Sequence, residues 1–447
     1  MHPAGRRTRP PGPHGLPLVG HAVQYARDPF GFMVRSAREY GPVAYARLSG
    51  RPHFLLTNPA DVERVLITNH RNYSKGAVQA REASLFGDGL LLSEGEFWRR
   101  QRRIMQPAFH RRRIEQYAEI MTASTERMLA GWRDGTTRDI HLDMTMLTLE
   151  IVVRVLFGAR THDQADRLAQ AFAMVAEHFQ VVYDRVFFVP EWVPIPSNRR
   201  YRKALEGLDR EVDRIIRERR SSGTGGDDLL AMLLDARDDD GRPMSDRQLR
   251  DEVMGLFLAG HETTAHTLGF ACHLLGRHPD QEAALLAELD ACLAGRPPTV
   301  EDLRRLRFTE QVVKEALRLY PAVYSMLREA RHDDELGGYR VPAGTTVILP
   351  QWVIHRDGRF YPDPEAFAPD RWTQEFERGL PRCAYFPFGA GPRICIGNGF
   401  ALMELRLILP TILQRWRLAS ASTAPLELMA SITTRPRHGI PMVVRER

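Results

Sequence analysis

The segment FPFGAGPRICIGNGFA, residues 386–401, sets a single cysteine among glycines, a proline and an arginine, and GFALMELRLILPTIL follows with a helical pattern. A buried thiolate is costly unless a metal or hydrogen-bond donors compensate it. A loop that turns through glycines at the start of a helix can aim backbone N–H groups and the positive helix end at the sulfur. Such a loop suits a thiolate ligand to iron. A lone cysteine is ordinarily an inert small hydrophobe, the reading given to Cys272, Cys292 and Cys383. For Cys395 the spacing overturns that reading, because Phe388, Gly391, Arg393, Cys395 and Gly397 fill five defined positions in ten.

Three further constellations carry chemistry. AGHETT, residues 259–264, lies in the middle of a helical pattern, where Gly260 lowers helix stability and Glu262 places a carboxylate in an apolar stretch. The bland account has Thr263 and Thr264 bonding back to the helix and Glu262 turned to solvent. The functional account has the glycine making room for a bound group, with Glu262 and Thr263 as a proton relay. Glu315 and Arg318 stand at i, i+3 and can pair on one helix face. Trp98 and Arg102 are one helical turn apart, and the planar arginine fork binds carboxylates bidentately.

These residues need elements to hold them. Two short strands, AYARLSG and PHFLLTN, precede a short helix at PADVERVLITN, and helical spacing then dominates from Glu96 onward. EFWRRQRRIMQPAF, RRIEQYAEIMTASTERMLAGW, DMTMLTLEIVVRVLFG, residues 163–184 and YRKALEGLDREVDRIIRERR all read as helices. The longest pattern opens at Ser245 as N-cap and closes before Pro279, and its centre is apolar enough to cross the core. SSGTGGDD reads as a surface loop, and LGGYRVPAGTTVILPQWVIHRD as strands and turns. The expected fold is mainly α with small β-sheets, one large domain over 1–447 with residues 1–22 as an extended Pro/Gly-rich lead-in.

Composition narrows the function. Four cysteines in 447 residues cannot form a disulfide framework, which fits a reducing cytoplasm, and the first residues hold no apolar run for a signal peptide or membrane anchor. A net charge of +6 raises a basic helical nucleic-acid-binding or scaffold protein as an alternative. Against it, the basic residues are dispersed and no zinc-finger spacing accompanies them. Lysine occurs only at Lys75, Lys203 and Lys314, and this skew towards arginine reflects GC-rich coding.

Taken together, the motifs resemble those of the cytochrome P450 family, soluble bacterial type. F-x-x-G-x-R-x-C-x-G matches its haem-binding loop, A-G-x-[D/E]-T its distal helix, and W-x-x-x-R and E-x-x-R two further signatures. The resemblance implies haem b (iron protoporphyrin IX) between the long helix and the cysteine loop, with Cys395 as the thiolate on iron. It further implies cofactor contacts from Trp98, Arg102, Ala259, Gly260, Arg328, Phe388, Arg393 and Gly397. Glu262 and Thr263 would deliver protons, and Glu315, Arg318 and Arg371 would form a buried structural triad. The implied activity is monooxygenation with O2 and electrons from NAD(P)H through separate redox partners, since only 52 residues follow Cys395.

An acidic ferredoxin is expected to dock on a basic face that includes Arg99, Arg100 and Arg103, and the chain is expected to act as a cytoplasmic monomer without nucleic acid. The substrate pocket is expected at Val78, Leu85, Leu90, the adjacent His178 and Phe179, Val182, Leu256, Val323, Met326 and Ile432. Apart from His178 these are apolar and suit a hydrophobic small molecule such as a terpenoid, polyketide or fatty acid of secondary metabolism, although ordinary core packing explains any one of them equally well. A peroxide-driven or isomerising haem-thiolate enzyme is the enzymatic alternative, disfavoured by the acid–threonine pair.

Overall fold

The structure, a computed structural model, describes residues 9–48, 50–76, 86–158, 193–222 and 226–447. Val78, Leu85, His178, Phe179 and Val182 of the expected pocket lie outside the described residues, as does the helical pattern over 163–184. Among the described residues nine helices of eleven or more residues carry the fold: α1 Pro29–Tyr40, α2 Gly95–Met105, α3 Ala118–Leu129, α4 Ile140–Phe157, α5 Pro196–Ser222, α6 Asp246–Leu275, α7 Pro279–Leu293, α8 Arg307–Leu319 and α9 Asn398–Leu413.

α6 runs for 30 residues because its start is fixed by a capping box. The Ser245 hydroxyl accepts the Gln248 N–H at 3.2 Å and the Gln248 side chain accepts the Ser245 N–H at 2.9 Å, satisfying two donors that would otherwise be orphaned. From Thr264 to Leu275 every residue of α6 is buried, so this half lies in the core as its all-round apolar pattern requires. α4 packs along it, and both lie in an apolar core with α3, α8 and α9.

The sheets are small. β1 Val43–Leu48, β2 Arg51–Leu56, β3 Tyr73–Ser74, β5 Met326–Ala330 and β8 Thr346–Leu349 form a five-stranded sheet in the order β1-β2-β8-β5-β3. Only β2 and β8 run parallel in it. β4 Thr137–Asp139, β12 Pro441–Glu446 and β9 Trp416–Ser420 make a second sheet, β6 Asp334–Leu336 pairs with β7 Tyr339–Val341, and β10 Leu428–Ala430 forms a hairpin with β11 Thr434–Pro436. Alternation along β5 puts Met326 and Arg328 on one face.

Two sequence expectations are corrected. The run RRIEQYAEIMTASTERMLAGW is two helices, Arg111–Glu115 and α3, divided at Gln116–Tyr117. The residues after β8 turn helical at Gln351–Ile354 instead of continuing as strand, because Pro350 has no N–H to extend the ladder. Among the described residues no helix is long and apolar enough to cross a membrane.

Candidate active site

The cysteine loop is closed by its own backbone, the Cys395 N–H donating to the Phe388 carbonyl at 3.0 Å. Gly391 has φ +71°, and a Cβ there would fall 2.0 Å from the Leu66 carbonyl oxygen, so only glycine permits this approach. α9 starts immediately after Gly397, as the sequence predicts. Burial pushes the Cys395 thiol up, while the Gly397 N–H aimed at the sulfur and the charge of Arg102 pull it down. The residue is deep within the protein, yet its surface is open to an internal cavity. Cys272 and Cys383 differ: burial pushes their thiols up to about 12 and about 11, as inert core cysteines require.

The cavity measures about 530 Å³, within the usual range for ligand pockets, and its wall is mostly apolar. Segments far apart in sequence meet on it. Leu90, Trp98, Arg102, Leu256, Ala259, Gly260, Thr263, Val323, Met326, Arg328, Phe388, Arg393, Cys395, Gly397 and Ile432 all line it. Ile432 arrives through the β10–β11 turn, and Val323 and Met326 through the connection from α8 into β5.

Three guanidinium groups stand on that wall. Arg102 donates to the Ile394 carbonyl at 2.9 Å, tying α2 to the cysteine loop. Arg393 donates to the Ser93 carbonyl at 3.0 Å, pairs with Glu94 at 3.0 Å and lies over the Trp98 ring at 4.3 Å. Arg328 is 8% exposed, and its guanidinium bonds the Leu327 carbonyl at 2.7 Å. Burial and the like charge of Arg393 push Arg328 down to about 10. Neighbouring buried cations of this kind call for an anion. A cavity offering a thiol at one position and arginines at others fits a haem, whose iron would take the thiolate and whose propionates would take the guanidinium groups.

On α6, Thr263 donates its hydroxyl proton to the Ala259 carbonyl at 2.9 Å and Thr264 to the Gly260 carbonyl at 3.3 Å, so the back-bonding account describes both threonines. Glu262 departs from that account. Its side chain is about a quarter exposed and does not line the cavity, but its carboxylate is drawn to within 3.5 Å of His266 Nε2. Burial alone would raise Glu262, but the contact with His266 and the charges of His266, His261 and Arg435 hold it down to about 2. Gly260 borders the cavity with its backbone, while a Cβ on it would meet Val152 of α4 at 3.1 Å. The missing side chain therefore serves the close approach of two helices as well as the space above the cysteine.

Glu315 and Arg318 are fully buried and joined at 2.8 and 2.7 Å. Arg371 adds a bond to Glu315 at 3.0 Å, Trp372 another at 2.8 Å and the Ala368 N–H a third at 3.0 Å. Arg318 also donates to the carbonyls of His355, Pro364 and Ala366 at 2.9, 2.6 and 2.9 Å. Every charge in the cluster is thus hydrogen-bonded, the condition for a buried ion pair to persist. The link to the cysteine loop passes through His355, whose Nε2 accepts the Phe386 N–H at 3.0 Å, and through Gln351, which donates to the Phe386 carbonyl at 2.9 Å.

Sequence reasoning missed His355 and Gln351, which are distant in sequence from both motifs, and Glu94, which joins Arg393 and Arg331. It also missed Glu252 and Glu404, whose only signal is an acid in an apolar helical run. The basic face of α2 is corrected: Arg100 pairs with Asp238 at 2.5 Å, Arg103 with Asp239 and Arg99 with Glu96, so these arginines are largely compensated.

Comparison with known proteins accords with this geometry. The sequence matches the cytochrome P450 family profile over residues 10–440. It is 39% identical to cyclooctatin synthase of Streptomyces melanosporofaciens over 418 residues, covering 92% of this chain and 90% of that protein. It is 37% identical to pentalenene oxygenase of Streptomyces avermitilis over 426 residues, covering 94% of each. The crystal structure of the cytochrome P450DA heme domain superposes with TM-score 0.88 at 31% identity, over 99% of this chain and 98% of that one. A glycine-framed cysteine loop, a buried E-x-x-R cluster and a fold shared along nearly the whole length agree: this chain belongs to the cytochrome P450 family.

Proposed function

We propose that this monooxygenase oxidises a hydrophobic carbocycle of terpenoid type, using electrons passed from NAD(P)H through a separate ferredoxin and reductase in the cytoplasm. The observation that carries the reading is the opening of Cys395 into one apolar cavity shared with α6 and three guanidinium groups. Relatives at 37–39% identity carry names that place them on cyclooctatin and pentalenene, terpenoid carbocycles, which supports the substrate class.

The haem, when bound, supplies activation of O2 and oxidation of a C–H bond. The residues of this chain do the rest. Arg102, Arg328 and Arg393 would hold the propionates, and the Gly397 N–H and Arg102 favour negative charge on Cys395 Sγ. Leu90, Leu256, Val323, Met326 and Ile432 exclude water and hold an apolar skeleton by contact. Thr263 has its hydroxyl hydrogen committed to Ala259, so its oxygen is left to accept a hydrogen bond from the cavity. Glu262, ionised and one residue away, is the base that takes up and passes on protons. For the redox partner, the helix Arg111–Glu115 packs beside α9 and presents exposed Arg112 and Arg113, which have no carboxylate partner among the described residues.

The test is spectroscopic. The reduced, carbon-monoxide-bound protein should show a Soret band strongly red-shifted from that of histidine-ligated haem, and Cys395→Ala should lose it. Retention of that band by the variant sinks the assignment. A binding screen that follows the Soret shift with terpenes, polyketides and fatty acids then tests the substrate class; a preference for fatty acids over every terpene would reject it.

A further inference from the structure

Glu262 does not stand alone behind the cavity. His266, one helical turn along α6, has its Nε2 3.5 Å from Glu262 Oε1 and 3.3 Å from Thr433 Oγ1. Its Nδ1 lies 3.1 Å from Nε2 of His141, at the first turn of α4, and the two rings stack with centroids 5.0 Å apart. His266 is 2% exposed, whereas His141 is half-buried and has no protein partner at Nδ1 among the described residues. Three titratable groups therefore form an unbroken file from the outside of the molecule to the turn of α6 beside Thr263.

We propose that His141 and His266 are a proton wire that recharges Glu262 from solvent. The inference rests on the oxygenase reading above, which requires protons at the cavity. Both nitrogens of His266 are engaged, one towards the outside and one towards the acid, which is the arrangement by which an imidazole passes a proton through. A solvent hydronium ion gives a proton to His141 Nδ1 and is left as water, and His141 releases the one on its Nε2 to His266 Nδ1. His266 then releases the proton on its Nε2 to Glu262 Oε1. One proton enters and one arrives, and each ring is left as its other tautomer, which must revert before the next passage.

The electrical surroundings suit this use. His261 and Glu262 on α6, Asp139 before α4 and Arg435 on β11 are the charged or titratable groups around the pair. Burial, the neighbouring His266 and the charge of Arg435 hold His141 down to about 4, against the pull of Asp139 and Glu262. Two adjacent imidazoles that resist simultaneous charging hand a proton on instead of storing it. His266 and His141 act through Glu262 and are positioning residues for proton supply; neither lines the cavity.

Two measurements test the wire. In the reduced, carbon-monoxide-bound holoprotein, which is diamagnetic, ¹⁵N spectra should show a coupling across the His141–His266 hydrogen bond. His266→Gln should abolish it and raise the His141 titration midpoint by about one unit, since a like charge is removed. Absence of the coupling together with an unmoved midpoint overturns the proposal.

In NAD(P)H-driven turnover with a plant-type ferredoxin, its reductase and the sesquiterpene α-cedrene as probe, His266→Gln and His141→Phe should each slow product formation about 10-fold at unchanged KM. The loss stays below the roughly 100-fold of a direct acid–base group because water can partly replace the wire. Both variants should also change the solvent isotope effect and the pH profile, with the Soret band intact. Glutamine keeps a hydrogen bond to Glu262 but cannot take a proton on one atom and release it from another. An unaltered pH profile and isotope effect in both variants reject the wire. No oxidation of any terpene by the parent protein would strike the oxygenase reading, and the ¹⁵N coupling and the His141 midpoint together would still decide the wire.

Discussion

At the scale of single residues, the chemistry depends on where a charge can be tolerated. Cys395 and Cys272 are both surrounded by protein and both have a backbone donor at the sulfur, but only Cys395 also has an arginine acting on it and an open side facing the cavity. Thr263 shows how small the margin is. Its hydroxyl already satisfies itself on the Ala259 carbonyl, so its contribution to the cavity is an acceptor held at a set place. Thr263→Ala should leave haem binding intact and lower product formation by about 10-fold to 100-fold, at the low end of acid–base contributions. The electrons diverted should appear as hydrogen peroxide per NAD(P)H oxidised. Equal peroxide yields in the two proteins would remove Thr263 from proton delivery.

At the scale of elements, the site is held by connections that run through polar side chains instead of apolar packing alone. α8 supplies Glu315 and Arg318, the segment after it supplies Arg371 and Trp372, and His355 conveys the position of Arg318 to the strand of loop leading into Phe388. Removing one partner strands the rest: Glu315→Ala leaves buried Arg318 without its carboxylate, and such losses cost about 3–5 kcal/mol. The expected outcome is a lowered urea midpoint together with loss of haem on gel filtration. A variant that keeps both would show that the cluster is dispensable for the loop. The capping box at Ser245 and the glycine contact between α6 and α4 do comparable work for the distal wall, since they set where Ala259 and Thr263 fall along the cavity.

At the scale of the whole molecule, buried acids tie stability to pH. Burial pushes Glu252 up to about 8, against the Leu90 N–H it accepts and with help from Asp251, and pushes Glu404 up to about 8, against its bond with Thr264. A raised carboxyl binds its proton more tightly in the folded state, so its stabilisation is complete below the ordinary value near 4.5 and is lost as pH rises towards about 8. Glu262, depressed to about 2, acts in the opposite sense: its stabilisation is present above 4.5 and lost as pH falls towards 2. His141, His261, His273 and His355, all held by burial below the ordinary histidine value, likewise lose stabilisation as pH falls below 6.5, so the urea midpoint should decline from about pH 7 to pH 8, and the Glu252→Gln, Glu404→Gln double variant should flatten the decline. An equal decline in that variant would contradict the assignment. Charge on the surface has a kinetic consequence as well. Replacing Arg112 and Arg113 by glutamate should slow reduction by an acidic ferredoxin at low salt by about 10-fold and leave the high-salt rate nearly unchanged, as expected for steering. Equal slowing at all salt concentrations would place the docking surface elsewhere. Local spacing is what made the sequence informative. The cysteine loop, the acid–threonine pair, the E-x-x-R pair and the Ser245 cap are each contained in ten residues or fewer, and short-range geometry alone decides which of their groups can meet. Packing decided the rest. That His266 meets His141, that Arg100 and Arg103 are neutralised by Asp238 and Asp239, that Gly260 answers to Val152, and that Leu90, Met326 and Ile432 share a wall all depend on contacts between segments separated by tens to hundreds of residues. No periodicity within a segment records which neighbour the folded chain will bring against it.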